Sequence, residues 1–379
     1  MRTAATRLDA EPASLTLSVA FELGNSEWRL ACTPGLDHLP LVRTIAARAV
    51  ASVEVELARA KAHFGLPAHA AVRSCYEAGR DGFWLHRYLR ARGVANDVVD
   101  SSSIEVNRRA RRAKSDRLDA CKLVTMLLRA DAGEQRVWSV VRVPSVTDED
   151  RRQLHRELLF VRRDRARLTN RIKGLLANQG LVLETLADLP TQLATVRLWD
   201  GTPLPPLLRA RLEREWSGVA ALTQRLQALR AERRALLETS DDPAIARVRQ
   251  LLALRGIGPE TAWLYVMEFF GWRTFRNRRE VGALAGLVPT HYQSGDVQHE
   301  QGISRAGNRY IRALAIDLAW GWLRYQPQSA LTRWYHARFA RGGSRVRKIG
   351  IVAVARKLLI ALWQYLETGC IPEGAALKR

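Results

Sequence analysis

Residues 286–312 read GLVPTHYQSGDVQHEQGISRAGNRYIR. The stretch holds one serine in a turn, Ser294-Gly295, and about ten residues later it opens a helix carrying Arg305, Asn308, Arg309 and Arg312. An activated serine hydroxyl is a nucleophile, and guanidinium groups are permanently charged, bidentate clamps for phosphate oxygens. Together they supply what attack on a phosphodiester needs. Ser-Gly pairs are also common turn formers, so a plain turn is the competing reading of Ser294.

A second group of chemically able residues lies far upstream. Glu22 ends an apolar strand, Glu77 ends another, and Asp116 and Asp119 sit in KSDRLDA at the start of a helix. Two acids three apart on a helix face the same side. Carboxylates at strand ends and at a helix start can converge on one sheet edge, where hard oxygen donors suit Mg²⁺ or Mn²⁺ and a metal can activate a phosphodiester. Singly, each has an ordinary reading: Glu22 as a strand-end surface acid, Asp116 as a helix N-cap.

Elements must position these groups. Leu15, Leu17, Val19 and Phe21 alternate with small or polar residues, the period of a strand; Gly24-Asn25-Ser26 turns into a second strand over 28–32. The Ala-rich run 43–64 reads as a helix, 70–77 as a strand, 79–92 as an amphipathic helix, 94–99 as a strand and 117–129 as a helix. This order predicts an α/β domain with a mixed sheet. Thr147 and Asp150 resemble a capping box opening a long helix. There Leu154, Leu158, Val161, Arg165, Leu168, Ile172 and Leu175 form a heptad seam with one charged interruption, stopped by Gly180. GTPLPP at 201–206 leads to a second helix striped by Leu222, Leu226, Leu229 and Leu236. Two such helices predict an antiparallel coiled arm, either a spacer or a dimerisation element. Next, LLALRGIGPETAWLYVMEFF has the pattern of a helix-hairpin-helix, in which Gly256 and Gly258 let backbone N–H groups approach a DNA phosphate. The region 300–368 reads as helical and basic, and its last helix as core.

Composition narrows the partner. The chain has 379 residues, 60 Lys plus Arg against 38 Asp plus Glu, and a formal net charge of +22. Such an excess points to a polyanion, either nucleic acid or an anionic membrane. No apolar run approaches the ~20 residues of a membrane span, and the first residues, MRTAATRLDAEPAS, lack the apolar core of a signal peptide. Nucleic acid is therefore the expected partner. Cys32, Cys75, Cys121 and Cys370 form no C-x-x-C pair, so buried free thiols are expected rather than a zinc site or disulfides. His63 and His69 flank a Gly-Leu-Pro turn and read as surface or packing residues.

Taken in order, these segments resemble the insertion-sequence transposases of the IS-one-ten family, including its eleven-eleven subgroup. FELGNSEWRLA looks like the family's first-strand motif, YEAGRDGFWLHRYL like its second acidic motif, and KSDRLDACKL like its K-x-D-x-x-DA motif. LRGIGPETA, GLVPTHYQSG, GISRAGNRYIRALA and VAVARKLLIALW resemble the C-terminal signature. The resemblance runs over about residues 15–370. It implies a RuvC-like (ribonuclease H-like) DEDD domain over 1–143, a coiled-coil arm over 144–245, and an all-α C-terminal transposase domain with helix-hairpin-helix over 246–379. It carries the four metal-binding acids onto Glu22, Glu77, Asp116 and Asp119, and the serine onto Ser294, with Ser304 as the lesser candidate. The family normally has Asp where this chain has Glu22; the extra methylene shifts the carboxylate by roughly one bond length, in a coordination geometry that Mg²⁺ holds strictly. Gln293 stands where many relatives have Ser or Thr.

The resemblance further implies a bacterial, cytoplasmic DNA recombinase acting at the nucleoid. It would cut and rejoin element ends and target DNA through a phosphoserine link, guided by a structured noncoding RNA. A homodimer or tetramer would complete the site between protomers. Two alternatives stay open: a RuvC-like, metal-only nuclease in which water attacks, and an inactive basic nucleic-acid-binding relative, which the Glu22 substitution favours.

Overall fold

The structure, a computed structural model, describes residues 15–104, 115–134, 137–294 and 297–378. The chain divides into two compact units, Met1–Pro144 and Ser145–Arg379.

The first unit is built on a five-stranded mixed sheet. Its strands are β1 (Thr16–Leu23), β2 (Glu27–Thr33), β3 (Leu41–Ala46), β4 (Ala71–Glu77) and β5 (Ala95–Val99), in the order β3-β2-β1-β4-β5. β2 runs antiparallel to β1 and β3, whereas β4 is parallel to β1 and β5. Strand alternation sorts side chains onto two apolar faces. Leu17, Val19, Phe21, Trp28 and Leu30 point toward helices α1 (Val50–His63) and α2 (Trp84–Ala91). Ala20, Ala31, Cys75 and Val99 point the other way, against Ala120, Leu123, Val124 and Leu127 of α3 (Asp116–Asp131). Covering both faces explains why β1 is apolar almost throughout.

Two expectations need correction here. The run 43–64 is not helical throughout: Leu41–Ala46 is β3, paired with β2. Its β-branched Val42, Thr44 and Ile45 suit a pleated surface, and α1 starts only after Arg48, which adopts a left-handed φ of 66°. Helix α2 is also shorter than 79–92, because Gly82 turns the chain at φ 70° before Trp84.

The second unit opens with α4 (Val146–Asp150), capped by a Ser145–Asp148 box rather than by Thr147 and Asp150: Ser145 Oγ accepts from Asp148 N at 3.0 Å and Asp148 Oδ2 accepts from Ser145 N at 3.3 Å. Helix α5 (Gln153–Ala177), the short α6 (Leu189–Thr195) and the 34-residue α7 (Pro206–Thr239) follow. Helices α5 and α7 form an antiparallel pair. Leu158 and Val161 meet Leu226 and Leu229 at one end, and Ile172 and Leu176 meet Leu212 and Val219 at the other. Ion pairs Arg225–Glu157 at 2.5 Å and Arg171–Glu215 at 2.8 Å flank the seam. Arg165, the charged interruption, is exposed.

The remainder packs as α8 (Pro243–Ala253), α9 (Pro259–Tyr265), a π turn over Val266–Phe270, α10 (Arg278–Leu284), α11 (Arg309–Tyr325), α12 (Ala330–Phe339) and α13 (Ser344–Thr368) around one large core. The expectation of an all-α C-terminal part is corrected by a two-stranded hairpin, β6 (Pro289–Ser294) and β7 (Val297–Ile303). Helix α13 is, by length and composition, apolar enough to cross a membrane, although Arg356 and Lys357 interrupt its apolar run; it is the core helix that the sequence predicts. Its Leu358, Leu359 and Leu362 are buried in the core.

All four cysteines are free; Cys32 and Cys75 are buried as expected, but Cys370 is exposed. Burial pushes the Cys32 thiol up to about 12, making it inert near neutrality. His63 and His69 are exposed.

Candidate active site

The acidic group is placed by the α3 face of the sheet. Ala20 and Cys75 pack against α3, and side chains two residues along a strand share a face, so Glu22 and Glu77 project on the α3 side. Pairing Phe21 with Tyr76 in parallel β1 and β4 sets these acids side by side at the strands' C-terminal ends. α3 runs back along the sheet, since its first residue meets Arg29 and its last, Asp131, meets Arg73 at the start of β4. Its N-terminus, with Asp116 and Asp119, therefore lies toward the same end as Glu22 and Glu77. Ser115 caps it by accepting from Leu118 N at 3.3 Å. Asp116 is thus in the first turn rather than the N-cap.

Arg29 is the residue that sequence reasoning missed. It stands opposite Glu22 in the β1–β2 register, so it too faces α3, and its Nε lies 3.8 Å from Asp116 Oδ2. That Nε is buried without a hydrogen-bond partner. The signal was present in the sequence: the hairpin turn at 24–26 fixes the register that brings Arg29 beside Glu22. Among the described residues, no three Asp, Glu, His or Cys side chains close on one point able to hold a metal ion. The donors are of the right chemistry and share one end of the sheet, while a guanidinium faces Asp116 among them.

Ser294 is the last residue of β6, in register with Val297 of β7. The two residues expected to follow it in the turn, at 295–296, lie outside the described residues. At the hairpin's other end, β7 leads into a turn that is stitched to the end of α10. Ser304 N donates to Val288 O at 2.8 Å, Arg305 N to Gly286 O at 3.2 Å, and Asn308 N to Leu284 O at 3.1 Å. The approach is so close that a Cβ on Gly286 would lie 2.0 Å from Ala306 O, and one on Gly307 2.1 Å from Leu284 O. Both glycines have positive φ, and Arg305 between them is left-handed at 55°. Arg305 is therefore not on the helix, as its spacing suggested, but in this held turn, with its side chain exposed.

Asn308 is the N-cap of α11: its Oδ1 accepts from Tyr310 N at 2.9 Å and Ile311 N at 3.2 Å. Arg312 Nη1 donates to the carbonyls of Ala285 at 3.4 Å and Ala306 at 3.3 Å, so it braces the two turns. Arg309 Nη2 donates to Tyr310 Oη at 3.0 Å, and Arg163 of α5 lies over the same ring at 5.4 Å. The Arg309 hydrogen bond, then Arg163, hold the exposed Tyr310 hydroxyl below the usual phenol range. Neither Tyr310 nor Arg163 was singled out in the sequence.

Gly256 and Gly258 lie in the turn between α8 and α9. Gly256 is at φ 88°, and a Cβ there would lie 3.0 Å from Tyr325 Cβ, so packing accounts for this glycine. Gly258 caps α9 with extended backbone and open space around it. The chain's last described residues strap this turn: Arg255 N donates to Ala376 O at 3.0 Å, and Lys378 Nζ to Ile257 O at 2.7 Å.

The large positive charge and the arginine-rich helix start suit a nucleic-acid partner, and comparison with known proteins gives the class, a transposase. Residues 248–334 match the family model described as "Transposase IS116/IS110/IS902 family". The chain is 41% identical over 376 residues to y4rJ of Sinorhizobium fredii, a protein with a transposase designation, covering 95% of this chain and 94% of that one. It is 29% identical over 220 residues to the transposase for insertion sequence element IS1328 of Yersinia enterocolitica (58% of this chain, 63% of the other). It is 25% identical over 260 residues to the transposase for IS1111A of Coxiella burnetii (67% and 66%). The chain belongs to the IS116/IS110/IS902 transposase family.

Proposed function

We propose that this protein cuts and rejoins DNA at the ends of a mobile element through a covalent phosphoserine link on Ser294. The observation that carries the reading is the gathering of Glu22, Glu77, Asp116 and Asp119 at one end of the sheet, in a chain of a transposase family whose β6 ends on serine. The mixed sheet with one antiparallel strand supports a RuvC-like first unit. The α5–α7 pair supports a coiled-coil arm, and the open backbone at Gly258 a helix-hairpin-helix contact to phosphate.

The four acids would hold Mg²⁺ or Mn²⁺, which supplies charge neutralisation at the scissile phosphate. The serine Oγ–P bond forms as the P–O bond to the departing sugar breaks, and the serine proton passes to that sugar oxygen. Reattack by a sugar hydroxyl reverses the exchange, so bond energy is conserved for rejoining. Arg305 and Arg309, both exposed, clamp phosphate oxygens as charge develops. Acids and serine come from different units, and protomers of a dimer or tetramer supply them to one another. A structured noncoding RNA reads sequence by pairing, while the basic surface grips backbone.

The test is an excision assay on element ends with Ser294→Ala and Glu77→Gln. Both variants are expected to bind DNA and lose cleavage, and only wild type to yield a protease-sensitive protein–DNA adduct. Cleavage by Ser294→Ala would remove the serine from the chemistry. Cleavage without any adduct would favour the metal-only nuclease.

A further inference from the structure

Helices α10, α11, α12 and α13, with the base of the β6–β7 hairpin, enclose an open cavity of about 1680 Å³ in the second unit. Ligand pockets for small molecules usually run to about 300–1,000 Å³, so this one suits a longer occupant. Nine Lys and Arg side chains line it, and among its described lining residues there is no carboxylate. Arg345 and Lys348 stand on the first turns of α13 and Arg338 near the end of α12; all three are exposed, and none is ion-paired to a described residue. Arg305 and Arg312 reach the same space from the held turn before α11.

The floor is different in kind. Ile316, Val352 and Ile360 form an apolar bed, edged by Trp334 and Phe339. Those two rings meet edge to face at 5.3 Å, and Phe339 is pressed onto the α13 backbone at Gly350, where a Cβ would lie 2.5 Å from the ring. Lys357 Nζ sits 4.8 Å over the Trp334 ring, the position a stacked base would take. Its flexible stem allows the ammonium to swing from the ring to a phosphate.

We infer that this cavity binds a single-stranded segment of DNA, with phosphates on the cationic rim and an unpaired base on the Trp334 platform. Cationic walls around an aromatic floor are how single strands are held without base reading. A duplex offers a different surface: its base faces are stacked inside and its outer surface is charged backbone, which would leave the apolar bed covered by phosphates. The cavity includes Pro289 and Ile303, the pair at the hairpin base, and Ser294 lies five residues along β6. At ~3.3 Å per residue that is ~17 Å, about five base steps at the 3.4 Å rise of one strand. A strand gripped here extends toward the serine. The inference rests on DNA being the substrate of the family and not on which hydroxyl attacks.

The experiment measures polarisation of a labelled oligothymidylate against a duplex of equal length and an oligouridylate, using the full chain. Arg345→Ala/Lys348→Ala is expected to weaken oligothymidylate binding about tenfold and lower the salt slope by about 1.4, at ~0.7 per lost contact on a single strand. Trp334→Leu, which keeps an apolar side chain, is expected to weaken it about tenfold with the slope unchanged. Duplex affinity is expected to change less than about twofold in both. Unchanged oligothymidylate binding in the double variant, or an equal loss on duplex, overturns the inference. A preference for oligouridylate that the variants abolish assigns the cavity to RNA and overturns it as well. Ser294→Ala retains oligothymidylate binding, so failure of the serine chemistry and failure of this site read out separately.

Discussion

Arg29 on β2 and Asp116 on α3 stand 3.8 Å apart between secondary-structure elements that share no hydrogen-bond ladder. The guanidinium occupies the electrostatic position of a counter-ion among carboxylates, on the residue directly opposite Glu22 in the strand register. A divalent cation entering this end of the sheet competes with it. Arg29→Met keeps the stem and removes the charge. Its expected effect is a rise of about fivefold in Mn²⁺ affinity without DNA, the equivalent of roughly 1 kcal/mol for a partly exposed charge. Glu77→Gln is expected to lower that affinity. Calorimetric titration of the two variants decides, and equal affinities in Arg29→Met and wild type would remove Arg29 from the site.

His155 on α5 is buried, with Nε2 unpartnered, and burial pushes its pKa down to about 4 from 6.5. The unfolded chain therefore takes up this proton first as pH falls. The stability from keeping His155 neutral is complete above pH 6.5 and lost between there and about pH 4. The loss is on the order of 3 kcal/mol. Glu268, Arg233, Glu260 and Arg156 surround the ring, so comparison with His155→Gln isolates the histidine's share. Denaturant melts at pH 7 and pH 4.5 are expected to differ markedly less in the variant.

Two glycines separate packing from binding. Gly286→Ala would drive a methyl into Ala306 O and the Arg312 guanidinium at φ 68°, and is expected to cost at least about 2 kcal/mol in unfolding free energy. Gly258→Ala meets nothing within 4 Å and needs no unusual φ. Its melting temperature should match wild type while duplex affinity drops about threefold or more, if a phosphate approaches that backbone. An unaltered affinity removes the turn from the DNA surface.

Tyr310 should be an early phenol to ionise in a spectrophotometric titration, below the ordinary value of 10, because Arg309 donates to it and Arg163 lies beside it. Tyr265, fully enclosed in the core, is held far above that value by burial. Tyr310→Phe is expected to delete an early component and leave the late ones. Arg309→Ala is expected to move that component upward. Loss of a late component in Tyr310→Phe would contradict the assignment.

How much of this was legible in the sequence depended on how local the cause was. The β1–β2 hairpin, β4, β5 and α3 follow from alternation and turn residues, and with them the placement of Glu22, Glu77, Asp116 and Asp119. β3 was hidden because the alanines that end and follow it, Ala46, Ala47 and Ala49, mimic a helix, while pairing with β2 decides the matter. The β6–β7 hairpin was hidden although a Gly-Asp pair between two runs is a hairpin signal, because the flanking runs, PTHYQS and VQHEQGI, are largely polar and lack the apolar alternation of a half-buried strand. Arg305 read as helical by spacing; the glycines on both sides of it, which permit the left-handed turn, make sense only once the chain end of α10 is brought against it. The basic cavity was invisible in the sequence, since its walls come from four helices and a hairpin base and no short window contains them. The run GGSRVRK, which opens the last helix, holds two of its cations, Arg345 and Lys348.

Arg305 shows what folding has already settled. Its left-handed backbone is held by the bond from Arg305 N to Gly286 O, so the point from which its side chain leaves the surface is set during folding and not during encounter with a ligand. The loop's share of the ordering entropy is thus incurred before any ligand arrives, and only the side chain's own rotamers are lost when a phosphate is met.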